Sequence, residues 1–282
     1  SPEDDAAVTF SEMDFEIVDD LKAGAFNIFD VLLTGQDRIT VMTGRSLGEI
    51  RGFWMTGFDS TDTLYCSQTA YDAETCNELG ALSVRGNDVD RDEWDDMIIL
   101  RELFKLAAER VSRDDSPSGY SDGTRGDTRR AWTEGLSTFF ACDAMDTQFF
   151  VNTTPRDGYM IYDIRDLETM DTPWAFRTSN GELDGYVSDR LVSSFLWDLA
   201  DTNTNEVWDG VHGARSGIYD VLFTYFNMPS WTDRGSPGVD LVEFLDGWFC
   251  RGWKLTTPVQ DLIVNHRQFN YDFDGPLACI SQ

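Results

Sequence analysis

The pattern of apolar and polar positions divides the chain at about residue 90. The first 90 residues contain β-rich pieces, such as Ile39-Thr40-Val41-Met42 and Leu82-Ser83-Val84, separated by Gly and Asp. From Asp92 to about Ser112, apolar residues recur at helical spacing. The pattern therefore predicts a β-rich N-terminal lobe over residues 1–90 and a mainly helical lobe over residues 91–282.

Two central helices are predicted where these lobes meet, over residues 91–112 and 127–149. Gly, Pro, Ser and Asp predict a loop between them, and Asp127 offers a cap for the second helix. A turn-rich insertion follows over residues 150–180, with a β-hairpin through Met160-Ile161-Tyr162. Further helical patterns lie near residues 184–200, 215–227, 238–251 and 257–267. The predicted fold class is α+β, in one compact unit.

Charge excludes some partners. The chain carries 51 acidic and 22 basic side chains, for a formal charge of −29, and the acidic residues are spread along its whole length. Such a surface repels nucleic acid and anionic membranes, which bind through Lys and Arg. Two interpretations of the acidity stay open: a surface suited to a saline or calcium-rich exterior, or an acidic face for one basic partner. No apolar run approaches the roughly 20 residues of a transmembrane segment.

Five cysteines predict two disulfides. Cys66 and Cys76 lie in a Ser/Thr/Asp-rich loop, and Cys250 and Cys279 bracket the C-terminal segment, so we pair each with its neighbour. Cys142, in an apolar run, is then a buried free thiol. Two disulfides indicate an oxidising compartment, hence an extracellular or cell-surface location. A cysteine zinc site is not predicted, since the chain has no Cys-x-x-Cys pair.

Four segments resemble, in order, motifs of secreted gluzincin-type zinc metallopeptidases. These segments are residues 88–105, with an Asp-rich lead-in; residues 130–141, containing Trp132-Thr133-Glu134-Gly135; residues 193–199; and residues 218–222. The resemblance covers about residues 25–225 and implies a zincin-like fold. It implies that the first segment is the catalytic helix, and that Glu134 occupies the position of the third zinc ligand.

The departure from the family pattern concerns the zinc ligands themselves. In a zincin, two histidines at positions i and i+4 bind Zn²⁺, and the Glu after the first activates the metal-bound water. Here Arg101 and Lys105 occupy the histidine positions, while Glu102 remains as a vestigial general base. Arg stays protonated and Lys normally does, so neither offers Zn²⁺ a lone pair. The only histidines, His212 and His266, lie outside this helix. No zinc cofactor is therefore expected.

The charges of Arg101 and Lys105 suggest how these residues replace the zinc ion. A zinc ion neutralises two carboxylates, and two side-chain cations neutralise them equally well. We therefore expect Arg101, Lys105, Glu102 and Glu134 to form a partly buried ion-pair cluster that connects the two central helices in place of the metal. The alternative is that Arg101 and Lys105 face solvent on an ordinary amphipathic helix.

A weak calcium candidate follows the third of these segments, at Asp201, Asn203, Asn205 and Asp209. These spaced oxygen ligands are typical of calcium loops, but the residue at loop position 12 is His212 rather than a bidentate Glu. An ordinary polar loop explains the same residues. His212 itself is interpreted either as a hydrogen-bond donor over the former cleft or as an incidental surface residue.

Two classes of function follow from these features. The first is a non-catalytic secreted or surface-displayed protein that binds a protein or peptide ligand, or that self-assembles as a structural subunit of a surface layer. The second is an atypical hydrolase, a peptidase that retains Glu102 as general base with an unconventional metal or none. Calcium is the one cofactor that the sequence leaves open.

Overall fold

The described part of the chain is mostly helical, with small sheets. The computed structural model describes residues 20–58, 62–67, 80–117, 123, 125–154, 158–164, 186–202, 210–229, 231, 233, 238–253, 256–267, 269 and 271–273. Its helices are α1 (Asp20–Thr43), α2 (Asp96–Val111), α3 (Thr128–Ala144), α4 (Asp189–Ala200), α5 (Arg215–Asp220), α6 (Leu241–Cys250) and α7 (Thr256–Gln260). Its strands are β1 (Arg51–Phe53), β2 (Leu64–Tyr65), β3 (Ala81–Ser83), β4 (Arg125–Asp127), β5 (Phe149–Thr154), β6 (Gly158–Asp163) and β7 (Tyr186–Ser188). This mixture of helices and small sheets confirms the α+β class.

Helix α1 corrects the expectation for the first 90 residues. The strand predicted at residues 39–42 is wrong, because these residues form the C-terminal end of this 24-residue helix. Ile39 is fully buried. A side chain at Gly35 would place its Cβ 2.4 Å from Leu103 Cδ2, so α1 packs closely against α2. Burial against α2 thus overrides the weak local preference of β-branched residues for strands.

The two central helices are confirmed, with shorter bounds than predicted. A single 3₁₀ turn, Asp92–Trp94, precedes α2. Helix α3 ends at Ala144, and Phe149 belongs to β5. The predicted cap is confirmed, since the Asp127 side chain accepts hydrogen bonds from the backbone N–H groups of Arg129 and Arg130.

The other predicted elements are mostly confirmed. Strands β5 and β6 form the predicted antiparallel hairpin, and β3 occupies the strand predicted near Leu82. Helices α4 and α6 lie within their predicted ranges, and π-helical turns extend α5 through Val221–Tyr225 and α7 through Asp261–His266. The rest of the 150–180 insertion lies outside the described residues. None of the described helices combines the length and apolar character needed to cross a membrane.

Short strands place the starts of α3 and α4 side by side. Strands β4 and β7 pair antiparallel, with Arg125 opposite Ser188, and each leads directly into a helix. The helices then approach closely at Gly135, where a Cβ would lie 2.3 Å from the backbone oxygen of Asp189. A separate three-stranded sheet has the order β1-β3-β2, with β1 parallel and β2 antiparallel to β3.

Helices α2 and α3 share the centre of the core. The rings of Phe104 and Phe140 lie 4.7 Å apart between them, and both side chains are buried. Further buried residues of α4 and α6 complete this core, including Phe195 and Phe244, whose rings lie 6.4 Å apart. The packing holds α2 and α3 at a fixed separation, which determines what their polar side chains can reach.

We predict that Gly135→Ala destabilises the protein by about 2 kcal/mol, because a methyl group has no room against the backbone of residue 189. In an isolated helix the same change would stabilise by up to about 1 kcal/mol. Chemical denaturation measures the difference in the free energy of unfolding between the variant and the native chain. Gly126→Ala is the control, since a Cβ there would meet no atom within 4 Å. Equal stability of the two variants would contradict the close approach of α3 and α4.

Candidate functional site

Four charged side chains meet between α2 and α3. Arg101 and Lys105 lie one helical turn apart on α2, which places both on the same face. The Arg101 guanidinium lies 2.7 Å from Glu134 Oε2, and Lys105 Nζ lies 2.7 Å from Glu134 Oε1. Each oxygen of the α3 carboxylate therefore contacts a different cation of α2.

Glu102 belongs to the same cluster and ties it to a strand. Its Oε1 accepts a hydrogen bond from Lys105 Nζ at 2.8 Å and lies 3.7 Å from Arg101 Nε. Its Oε2 accepts a hydrogen bond from the backbone N–H of Tyr65 at 2.8 Å. Through this bond the cluster holds β2 as well as the two helices.

Burial decides between the two interpretations of these cations. Glu102 and Glu134 are 3% and 5% exposed. The side chains of Arg101 and Lys105 are 19% and 18% exposed. The expectation of a partly buried cluster is therefore confirmed, and the alternative, in which both cations face solvent, is wrong.

The electrostatics stabilise the charged forms. Burial by itself would lower the pKa of Lys105, but the carboxylates of Glu102 and Glu134 outweigh it, and the pKa is raised. Burial would likewise raise the pKa of Glu134, but Lys105 and Arg101 outweigh it, and the pKa is lowered. Both groups are therefore ionised at neutral pH, and the two positive and two negative charges of the cluster cancel.

Two further carboxylates lie close to the cluster, and the sequence pattern did not reveal them. Asp114 accepts hydrogen bonds from Thr133 Oγ1 and from the backbone N–H of Ser116, both at 2.9 Å. Burial raises the pKa of Asp114, and the charge of Lys105 partly opposes this. Burial also raises the pKa of Asp62, against the opposing charges of Arg85 and Arg101. Both residues come from loops, which have no helical or strand periodicity from which their position near the cluster could be predicted.

The residues present do not fit a zinc ion. Zinc needs deprotonated nitrogen, sulfur or oxygen ligands with free lone pairs. Arg101 is permanently protonated, and the raised pKa of Lys105 keeps its ammonium charged. The oxygens of Glu134 already contact these two cations. The cluster can therefore serve as an electrostatic connection between elements, because its carboxylate oxygens are already engaged by the two cations and by the backbone of Tyr65.

The remaining predicted residues lie elsewhere or outside the described residues. Cys142 is buried and free, as predicted. Among the described cysteines only Cys142 is free, but Cys76 and Cys279 lie outside the described residues, so the pairing of Cys66 with Cys76 and of Cys250 with Cys279 stays a prediction. His212 and His266 are exposed. Of the candidate calcium loop only Asp201 is described, while Asn203, Asn205 and Asp209 lie outside.

We predict that Lys105→Met lowers the free energy of unfolding by about 3 kcal/mol, because it leaves two buried carboxylates with one cation. For a chain of this size the melting temperature should fall by roughly 6–12 °C. Arg51→Met is the matched control, because Arg51 forms an exposed ion pair with Glu49. This variant should change the free energy of unfolding by at most about 1 kcal/mol. An unchanged melting temperature for Lys105→Met would show that the cluster does not stabilise the fold.

The stabilisation by the cluster should follow a defined pH window. The lowered pKa of Glu134 means that its contribution is present above its ordinary value of 4.5 and is lost as the pH falls through the folded-state value. The raised pKa of Lys105 means that its contribution is present below 10.5 and is lost as the pH rises through the folded-state value. The stability difference between the native chain and Lys105→Met, measured by urea unfolding, should be constant from about pH 6 to 9 and shrink on either side. A difference that grows in acid would contradict the assignment.

Comparisons with known proteins leave the family open. No protein-family model, no curated protein and no solved structure matches the chain. The resemblance to gluzincin-type peptidases therefore remains a prediction from the ordered motifs, and the description of the cluster stands on its own geometry.

Proposed function

We propose that this chain is a non-catalytic, metallopeptidase-like protein of the cell exterior, with a binding or structural role. The observation that carries the proposal is the neutral ion-pair cluster between α2 and α3, at the positions where the resemblance would place a catalytic metal. A site whose ligand positions are taken by permanent cations retains a role in holding the helices together and loses the means to activate water.

The protonation state of Lys105 supports the proposal that this position no longer binds a metal. A buried lysine with a strongly lowered pKa would be neutral and could donate a lone pair. Here the two neighbouring carboxylates raise the pKa instead, so the ammonium form persists. The replacement of histidine by lysine therefore removes a metal ligand at any pH near neutrality.

Glu102 is poorly placed to act as a general base without a metal. A base needs a lone pair within hydrogen-bond reach of the water or substrate that it deprotonates. One oxygen of Glu102 is bound by Lys105 and the other by the backbone of Tyr65, and the residue is 3% exposed. These contacts argue against the alternative of an atypical hydrolase.

Two surface features support a binding or assembly role. The formal charge of −29 favours a partner with basic groups and disfavours nucleic acid. Phe26, Phe29 and Leu33 lie at helical spacing on one side of α1 and are 54%, 59% and 43% exposed. Neighbouring exposed apolar side chains are typical of surfaces that contact other proteins. The partner in this proposal is a protein or peptide, or another copy of the chain.

The predicted disulfides, Cys66 with Cys76 and Cys250 with Cys279, support the proposed location. Disulfides persist in oxidising compartments and are rare in the reducing cytosol. A strongly acidic surface suits the same setting, because it keeps a protein soluble at high ionic strength. We therefore place the protein outside the cell or on its surface.

The proposal predicts that a zinc site can be restored. The double variant Arg101→His/Lys105→His should bind about one Zn²⁺ per chain, because it places two imidazoles on the face of α2 that already reaches Glu134. The native chain should bind none. Zinc content after dialysis, measured by mass spectrometry, and the visible spectrum of the cobalt-loaded protein report on the site.

The matched control adds Glu134→Gln to the double variant, which should weaken zinc binding at least about tenfold if Glu134 is the third ligand. Circular dichroism confirms that each variant is folded. A folded double variant that binds no zinc would count against the metallopeptidase-like arrangement. Stoichiometric zinc in the native chain, with peptide cleavage that Glu102→Gln abolishes, would overturn the non-catalytic proposal.

A further inference from the structure

Three buried carboxylates converge just before α2. Asp90, Asp92 and Asp95 are 8%, 6% and 6% exposed. One oxygen atom of each lies within 4.8 Å of the corresponding oxygens of the other two. Such close approach of buried carboxylates in their ionised forms is unfavourable unless positive charge lies among them.

The described residues supply too little positive charge. Arg85 donates to Asp90 Oδ2 at 2.7 Å, and the charge of the same guanidinium also acts on the carboxylates of Asp92 and Asp62. The hydrogen-bond donors to the other two carboxylates among the described residues are neutral: Thr63 Oγ1 donates to Asp92, and the backbone N–H and hydroxyl of Thr153 donate to Asp95.

An orphaned oxygen provides independent evidence of a missing ligand. Asp90 Oδ1 is fully buried and has no hydrogen-bond partner among the residues that the structure describes, although the other oxygen of this carboxylate is paired with Arg85. Buried carboxylate oxygens without partners are costly and therefore uncommon. A cation bound among the three carboxylates would satisfy this oxygen and neutralise the excess negative charge.

We propose that Asp90, Asp92 and Asp95 form a calcium-binding site. Calcium takes hard oxygen ligands at about 2.3–2.6 Å, so two of its ligands on opposite sides lie roughly 5 Å apart. The limit of 4.8 Å among the three oxygens is compatible with one such coordination sphere. Magnesium requires a tighter octahedron, at about 2.1 Å. This site is separate from the candidate loop at residues 201–209 and does not depend on the proposed function.

Calcium at this site would stabilise the connection between the sheet and α2. Thr63, next to β2, contacts Asp92, and Tyr65 in β2 contacts Glu102 of the ion-pair cluster. The segment from Asp90 to Asp95 leads directly into α2. The cation would therefore hold the start of α2 near Thr63, while the ion-pair cluster holds β2 at Tyr65.

The test uses the full chain, stripped with a chelator and titrated with calcium chloride or magnesium chloride at constant ionic strength. Calorimetry should show one site with a dissociation constant between about 1 μM and 1 mM. Calcium should raise the melting temperature, and magnesium should raise it less. Asp92→Asn should reduce calcium affinity at least about tenfold, since affinity depends on the number of charged ligands. The variant should fold, because Asn has the same size and its Oδ1 can still accept from Thr63.

Two control variants separate this site from the general acidity of the chain. Asp88→Asn removes the same charge at an exposed position two residues from Asp90 and should leave the affinity unchanged. Asp209→Asn tests the other candidate loop and should also have no effect. Asp95→Asn tests the proposed site a second time and should lose affinity as Asp92→Asn does.

Several outcomes would overturn the proposal. These are the absence of calcium binding at millimolar concentration, an equal response to magnesium, and an equal loss of affinity in Asp88→Asn. Loss of binding in Asp209→Asn with retention in Asp92→Asn would assign calcium to the other loop instead.

Discussion

The balance between burial and charge at the interface of α2 and α3 is the interaction on which the centre of this structure depends. Glu102 and Glu134 are almost completely removed from water, which would strongly disfavour their ionised forms in isolation. Arg101 and Lys105 restore the balance because each lies within direct contact of a carboxylate. The same carboxylates raise the pKa of Lys105, so the four charges maintain one another.

This cluster and the three aspartates before α2 differ in how their buried carboxylates are neutralised. Within the cluster, cations of the chain itself neutralise the buried carboxylates. Among Asp90, Asp92 and Asp95, the described residues bring one guanidinium to three carboxylates, and an oxygen of Asp90 stays without a partner. The first arrangement is complete without a metal, whereas the second has the oxygen ligands and the excess charge that a hard divalent cation requires. Tyr65 in strand β2 contacts the cluster, and the adjacent Thr63 contacts Asp92 of the three aspartates.

Sequence periodicity predicted the helical half of the fold well, because α2, α3, α4 and α6 each bury a face against the same core. The cap at Asp127 could also be predicted, since it depends on residues only two and three positions away. The helical conformation of the end of α1 could not be predicted. Residues 39–42 have the composition of a strand, and only the packing of α1 on α2, through Gly35 and Ile39, makes them helical.

By itself, the sequence determined which chemical groups are available: cations at 101 and 105 in place of imidazoles, carboxylates at 102 and 134, and a large excess of negative charge. Only the tertiary structure decided that these four groups meet, that the backbone of Tyr65 holds Glu102, and that the three aspartates before α2 are buried. The reason is that ion pairing and desolvation depend on separations of a few ångströms between residues far apart in the chain. The order of residues specifies their charge, and the packing of α1, α2 and α3 specifies those separations.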